Sequence, residues 1–244
     1  MISNNNSMQY FYSDDISGSE CILDSSESTH TTKVLRKGMG DEIFILDGKG
    51  KMYVGPISAI GKQVKISPLT IKKEEQRPKL QLTITISPTK RSERMEWMIE
   101  KLTEIGVARI VFINTEKGER PRVNLNRLKK KAVSALKQSG NLWLPKIHDA
   151  TPFDTFVKEE NSEIKFIAHC FDSEKSNISD QLSNDMDVCV MIGPEGDFST
   201  QEIETANAQG FKPLSLGIPR YRTETAALVA CTLINHFCVT LRTN

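Results

Sequence analysis

The sequence predicts an α/β protein in which a small β-rich domain precedes a larger one built on a mostly parallel sheet. Three observations carry that expectation. From Leu80 onward, short apolar runs alternate with segments of helical periodicity, the pattern of a parallel sheet covered by helices on both faces. From Gln9 to about Ile71 the apolar runs are short and closely punctuated by turn residues, as in a barrel or compact sheet. Between the two, KKEEQRPK (Lys72 to Lys79) is charged, carries a proline and reads as a linker. The expected division is a disordered extension over 1–7, a β-domain over 8–71, the linker over 72–79 and an α/β domain over 80–244.

In the first region QYFY, ECILD, DEIFILDG, KMYVGPISAI and QVKISPL read as strands, and HTTKVLRK as a helical turn. Asp47-Gly48 followed by Lys49-Gly50 marks a hairpin between two apolar runs. In the second, LQLTITI (Leu80 to Ile86) is a β-branched strand. SERMEWMIEKLTEIG follows as a helix, with Met95, Met98, Ile99, Leu102 and Ile105 at helical spacing and Gly106 as its stop. ARIVFI is a strand, NRLKKKAVSALKQSG a helix and PKIHDA a short strand. Thr151-Pro152 reads as the capped start of another helix. IKFIAHC, DVCVMIG and KPLSLG are further strands. Ser199 with Glu202 three residues later is a capping box, so a helix should start just after Ser199. TETAALVACTLINHFCV closes the chain as an apolar helix.

A net charge of +1 over 244 residues conceals an uneven distribution. Bases dominate from Lys62 to Lys146 and acids from Asp149 to Glu204, so a polyanion would be drawn to the first stretch, although any single cluster also suits a solvated helix face. The five cysteines (Cys21, Cys170, Cys189, Cys231, Cys238) are scattered, with no CxxC spacing and no histidine pairing, which implies neither disulfides nor a metal site. No apolar stretch is long enough to span a bilayer, and MISNNNSMQYFY lacks the basic start and apolar run of a signal peptide; a cytoplasmic protein is expected.

Ligands of open α/β sheets collect beyond the carboxyl ends of the strands. Three loops fall there: His169-Cys170; Gly193-Pro194-Glu195-Gly196-Asp197; and Gly217 through Pro219, Arg220, Arg222 and Thr223 to Thr225. Their glycines let backbone approach a ligand with no side chain between. Thr223 or Thr225 can cap the terminal helix. Glu224 in its first turn suits the helix dipole as well as it suits a functional role. Neither GxGxxG nor GxxxxGK[ST] occurs, which disfavours a nicotinamide dehydrogenase or a Walker-type phosphate site.

IGPEGDFS followed after a short helix by LGIPRYRTETA resembles the paired cofactor loops of the SPOUT (α/β-knot) methyltransferases, and within them the RsmE family. HTTKVLR and GDEIFILDGKG resemble that family's N-terminal PUA-like β-barrel. TKRSERMEWMIEKLTEIGV and LKQSGNLWLP resemble blocks of its catalytic domain. Asp197 departs from the glycine usual at that position, and Pro219 from a usual arginine, for which Arg220 stands in. The resemblance implies a doubly wound sheet with a C-terminal trefoil knot, a homodimer, and S-adenosylmethionine as cofactor. The implied reaction is methylation of uridine N3 in the decoding region of 16S ribosomal RNA on the small subunit. It assigns catalysis to Arg222, Glu224 and Arg94, with Glu195 a further candidate base. Cofactor binding falls to His169, Ile192, Gly193, Pro194, Glu195, Gly196, Leu216, Gly217, Thr223, Thr225 and Ala226, and RNA binding to Arg36, Lys90, Arg91, Arg120, Arg122 and Arg220. The competing readings are a knotted methyltransferase with another RNA target, and a non-catalytic RNA-binding protein.

Overall fold

The computed structural model describes residues 9–119, 122–171, 182 and 186–242. Arg120 and the expected extension over 1–7 lie outside the described residues. The chain divides into two compact units, residues up to Arg77 together with Val133–Leu144, and Pro78–Ala132 together with residues from Pro145 onward.

The first unit contains β1 (Tyr10–Tyr12), β2 (Ile16–Ser17), β3 (Glu20–Ile22) and α1 (Ser25–Thr29), which runs on into one π-helical turn (His30–Val34). β4 (Glu42–Leu46), β5 (Lys51–Ile60), β6 (Val64–Ile66) and β7 (Thr70–Glu74) follow. The strand order is β1-β4-β5-β6-β3-β2, with β7 also on β5. Inward residues at alternate positions, among them Ile43 and Ile45 of β4, join Phe11, Leu23, Ile57 and Ile66 in one core. Asp47 shapes the β4–β5 hairpin, its Oδ1 accepting the Lys49 and Lys51 amides at 2.7 and 3.0 Å. β7 carries the sheet through Glu74, beyond Ile71 where the sequence pattern ends, because an edge strand with charged, exposed side chains has little apolar signature. Leu136 and Leu142 pack with Leu46 and Met52, which is why Val133–Leu144 belongs to this unit.

The second unit begins with β8 (Gln81–Ile86), α2 (Ser92–Ile105) and β9 (Arg109–Asn114), and α3 spans Leu125–Ser139. It continues with β10 (Lys146–Pro152), α4 (Phe153–Glu159), β11 (Ile164–Ala168), β12 (Asp187–Ile192), α5 (Thr200–Ala208), β13 (Lys212–Leu214) and α6 (Thr223–Arg242). The strand order is β10-β9-β8-β12-β11-β13, and every pairing is parallel. β8 and β12 are central and buried along almost their whole length, as strands covered on both faces must be. α2 ends as the sequence predicts, at Gly106 in the left-handed conformation.

Two local expectations are corrected. Thr151 and Pro152 do not open a helix; they extend β10, opposite Ile113 and Asn114, and α4 starts at Phe153 with no side-chain cap. β10 is an edge strand, where a proline without an N–H is tolerated. Thr223 and Thr225 lie inside α6, and the Thr223 hydroxyl donates to the Gly193 carbonyl at 3.2 Å, so tertiary contact claims the group expected to cap the helix.

The capping box at α5 forms as expected: Ser199 Oγ accepts the Glu202 amide at 3.2 Å and Glu202 Oε2 accepts the Ser199 amide at 2.9 Å. Glu202 Oε1 also accepts the Glu116 amide at 2.8 Å, tying α5 to the loop after β9. Ser199→Ala is expected to lower unfolding free energy by about 1 kcal/mol in urea titrations.

The order of the strands sets up the site. β12 pairs with β8 in the middle of the sheet, whereas β13 lies at its edge beside β11. From that edge the chain returns to α6, which packs on α2, β8 and β12. The segment after β13 therefore comes back alongside the loop after β12, at the carboxyl ends of the strands. Among the described residues no helix is long and apolar enough to cross a membrane.

Candidate active site

The loops after β11, β12 and β13 enclose an open cleft of about 790 Å³. Its walls include apolar side chains and main chain: Ala168, Ile192, Gly193, Pro194, Leu214, Leu216, Gly217, Ile218 and Ala226. Its polar groups are Arg94, His169, Glu195, Asp197, Arg220, Tyr221, Arg222 and Thr223. Concave and lined by apolar and polar groups in about equal measure, it has the size of a small-molecule site.

Local structure explains the two glycines that line it. A Cβ on Gly193 would lie 3.0 Å from the Phe198 ring, so a side chain here would crowd the buried ring and glycine lets this backbone rest on it without strain. Phe198 is fully buried and tilted against Phe153 at 6.0 Å between centroids. Gly217 has φ +121°, a region that favours glycine. Gly196 differs from both: it does not line the cleft, and a Cβ there would only meet Lys117 at 3.5 Å in ordinary contact. Thr225 is also outside the lining.

Arg94 of α2 joins the loops. Its guanidinium donates to Glu195 Oε1 at 2.7 Å, while its Nε lies 3.6 Å from Glu224 Oε1. Glu195 is two-thirds exposed, at 68%, and belongs to the cleft; Glu224 is buried and outside the lining. Glu224 thus stands behind Arg94 rather than facing the cleft, and its Oε2 has no hydrogen-bond partner. The structure gives it Arg94 as its charge partner, a pairing that sequence separation concealed. Arg222 and Arg220 are exposed on the cleft wall.

Of the other basic residues, Lys90, Arg91 and Arg122 are exposed at the carboxyl-end side of the sheet, in the segments after β8 and β9. Lys90 makes a loose exposed pair with Glu119 at 3.9 Å. Arg36 is exposed in the first unit, at φ 53° just after the π-helical turn. Lys117, which the sequence pattern does not single out, also follows a strand end. Its Nζ donates to the Gly196 and Phe198 carbonyls at 3.4 and 3.2 Å.

The cysteines offer no nucleophile in the core. Burial pushes the Cys189 and Cys231 thiols up to about 12 and Cys21 up to about 11. Among the described residues no group of three or more His, Cys, Asp or Glu could hold a metal ion.

Comparison with known proteins agrees with this architecture. A model of the RNA methyltransferase domain matches residues 75–235, and one of the RNA methyltransferase PUA domain matches 23–68. The Ribosomal RNA small subunit methyltransferase E of Rickettsia conorii is 30% identical over 219 residues, 87% of this chain and 88% of that protein. A probable rRNA-methyltransferase from Porphyromonas gingivalis superposes with a TM-score of 0.86 at 37% identity, covering 96% of this chain and 99% of that one. A Ribosomal RNA small subunit methyltransferase E from Neisseria gonorrhoeae, bound to S-adenosyl methionine, superposes with a TM-score of 0.81 at 26% identity, covering 94% and 97%. From its PUA-like N-terminal domain to the loops that form the cleft, the chain belongs to the RsmE family of SPOUT RNA methyltransferases.

Proposed function

We propose that this protein transfers a methyl group from S-adenosylmethionine to N3 of a uridine in 16S ribosomal RNA, acting on the small subunit as a homodimer in the cytoplasm. The observation that carries the chemistry is Arg94, presented to the cleft and held between two carboxylates beside the glycine-bearing loops. The residues suit the cofactor. Bare backbone at Gly193 and Gly217, with Ile192, Leu214 and Leu216, offers an apolar slot for a nucleoside, and Glu195 puts negative charge where a cationic ligand would sit. His169, Pro194, Thr223 and Ala226 complete that wall, whereas Gly196 and Thr225 act at most from behind it.

When bound, S-adenosylmethionine supplies a methyl group already activated by its positive sulfur. The chain's residues must then position uridine and assist loss of its N3 proton. Glu195 faces the cleft and is the carboxylate placed to accept that proton. Arg94 steadies the charge developing on the uracil oxygens, and Glu224 fixes the orientation of Arg94. Arg222 and Arg220, exposed on the same wall, suit the base or its phosphate. Half-buried Leu228, Val229, Leu233 and Phe237 on α6 suit a contact with a second copy.

The test is mass mapping of modified uridines in 16S RNA from cells lacking the protein, with purified protein restoring the modification on their small subunits. A complete set of modified uridines in those cells would refute the target. Failure of calorimetry to detect S-adenosylmethionine binding would favour a non-catalytic RNA-binding protein.

RNA affinity is expected to fall steeply with salt if Lys90, Arg91, Arg122 and Arg36 face phosphates. Each charge-removing substitution among them should flatten the log–log slope by roughly 0.7 to 0.9. Slopes unaffected by those substitutions would identify the residues as solvated surface.

A further inference from the structure

Asp197 combines two features that a turn residue does not need. It holds φ 62°, a left-handed conformation uncommon for any residue but glycine. Both its carboxylate oxygens are also engaged: Oδ1 accepts the amide of Phe198 at 2.8 Å, and Oδ2 accepts the amide of Cys170 at 2.8 Å. The first bond is local and shapes the turn. The second crosses to the loop after β11, 27 residues away in sequence. Both loops line the cleft, and Asp197 lines it between them. From the loop after β9, Lys117 holds the carbonyls of Gly196 and Phe198. With Thr223 holding the Gly193 carbonyl, the turn is thus fastened at three points, and the Asp197 and Lys117 contacts are charge-assisted.

We propose that Asp197 is a positioning residue that clamps the His169-Cys170 loop to the Gly193–Phe198 turn and so sets the width of the cofactor slot. The proposal rests on the assignment of the cleft to S-adenosylmethionine. It separates the two jobs Asp197 could have. If the residue only had to adopt a left-handed turn, glycine would serve better, because it meets no steric penalty there. If the carboxylate is what matters, glycine removes the clamp while leaving the backbone free to fold. Asparagine tolerates the same conformation but keeps one acceptor oxygen where aspartate has two, so it can hold only part of the link.

Asp197→Gly is therefore expected to retain the fold by circular dichroism yet weaken S-adenosylmethionine binding by roughly 10-fold in calorimetry, the scale of losing a hydrogen bond to a charged acceptor. KM for the cofactor should rise in step while kcat at saturation holds. Hydrogen exchange at the Cys170 amide should accelerate, and Asp197→Asn should fall between Asp197→Gly and the parent in both measurements. A glycine variant that binds the cofactor as tightly as the parent, or a Cys170 amide that exchanges no faster, overturns the clamp. An asparagine variant no better than glycine does so too. If the parent protein binds no S-adenosylmethionine, the assignment of the cleft fails instead, and amide exchange alone decides whether Asp197 links the loops.

Discussion

Arg94→Lys is expected to slow single-turnover methylation of small subunits by about 100-fold, the scale of removing a preorganised donor from a developing charge. Lysine keeps the positive charge, so Glu224 is not left buried beside nothing. It cannot, however, reproduce a planar guanidinium that faces Glu195 with one nitrogen and Glu224 with another. S-adenosylmethionine affinity should change little, because the bare backbone at Gly193 and Gly217 and the apolar Ile192, Leu214 and Leu216 are untouched by the substitution. Glu224→Gln provides the companion measurement. If Glu224 orients Arg94, the glutamine variant slows the same step; if it serves only the dipole of α6, the melting temperature falls while the rate is preserved. Unchanged rates in both variants would show that the Arg94 bridge is structural and would leave Glu195 and Arg222 to carry the chemistry.

Phe198→Ala should produce the largest loss of stability at the site. The ring is fully buried in a core with Phe153, Phe211, Met191 and Ile167, and truncations of this kind cost about 3–5 kcal/mol. The same ring backs Gly193, where a Cβ would meet it at 3.0 Å, tighter than ordinary contact. The substitution should therefore also weaken cofactor binding, and at temperatures where the variant remains folded. Urea unfolding and calorimetry on the same preparation separate the two effects. Full cofactor affinity in a destabilised protein would mean that the Gly193 turn is held by Asp197, Lys117 and Thr223 without help from the ring.

Features that depend on neighbours along the chain are legible in the residues alone. Alternation of apolar runs with helical periodicity marked the parallel sheet, and Asp47-Gly48 its preceding hairpin. Ser199 with Glu202 set the start of α5, and Gly106 the end of α2, because capping and turn chemistry act within one turn of backbone. The strand-end loops containing Gly193 and Gly217 were legible for the same reason. Tertiary structure decided what had to be brought from a distance. Arg94 meets Glu195 and Glu224 only because β8 and β12 pair at the centre of the sheet and α6 folds back over them beside α2. Thr223 gave its hydroxyl to Gly193 and Thr151 stayed in β10, in each case because a partner remote in sequence outcompeted the local cap. Val133–Leu144 joined the first unit because Leu136 and Leu142 found their apolar partners there. Local pattern carries no record of such partners, since burial is roughly proportional to the apolar area removed from water and indifferent to distance along the chain.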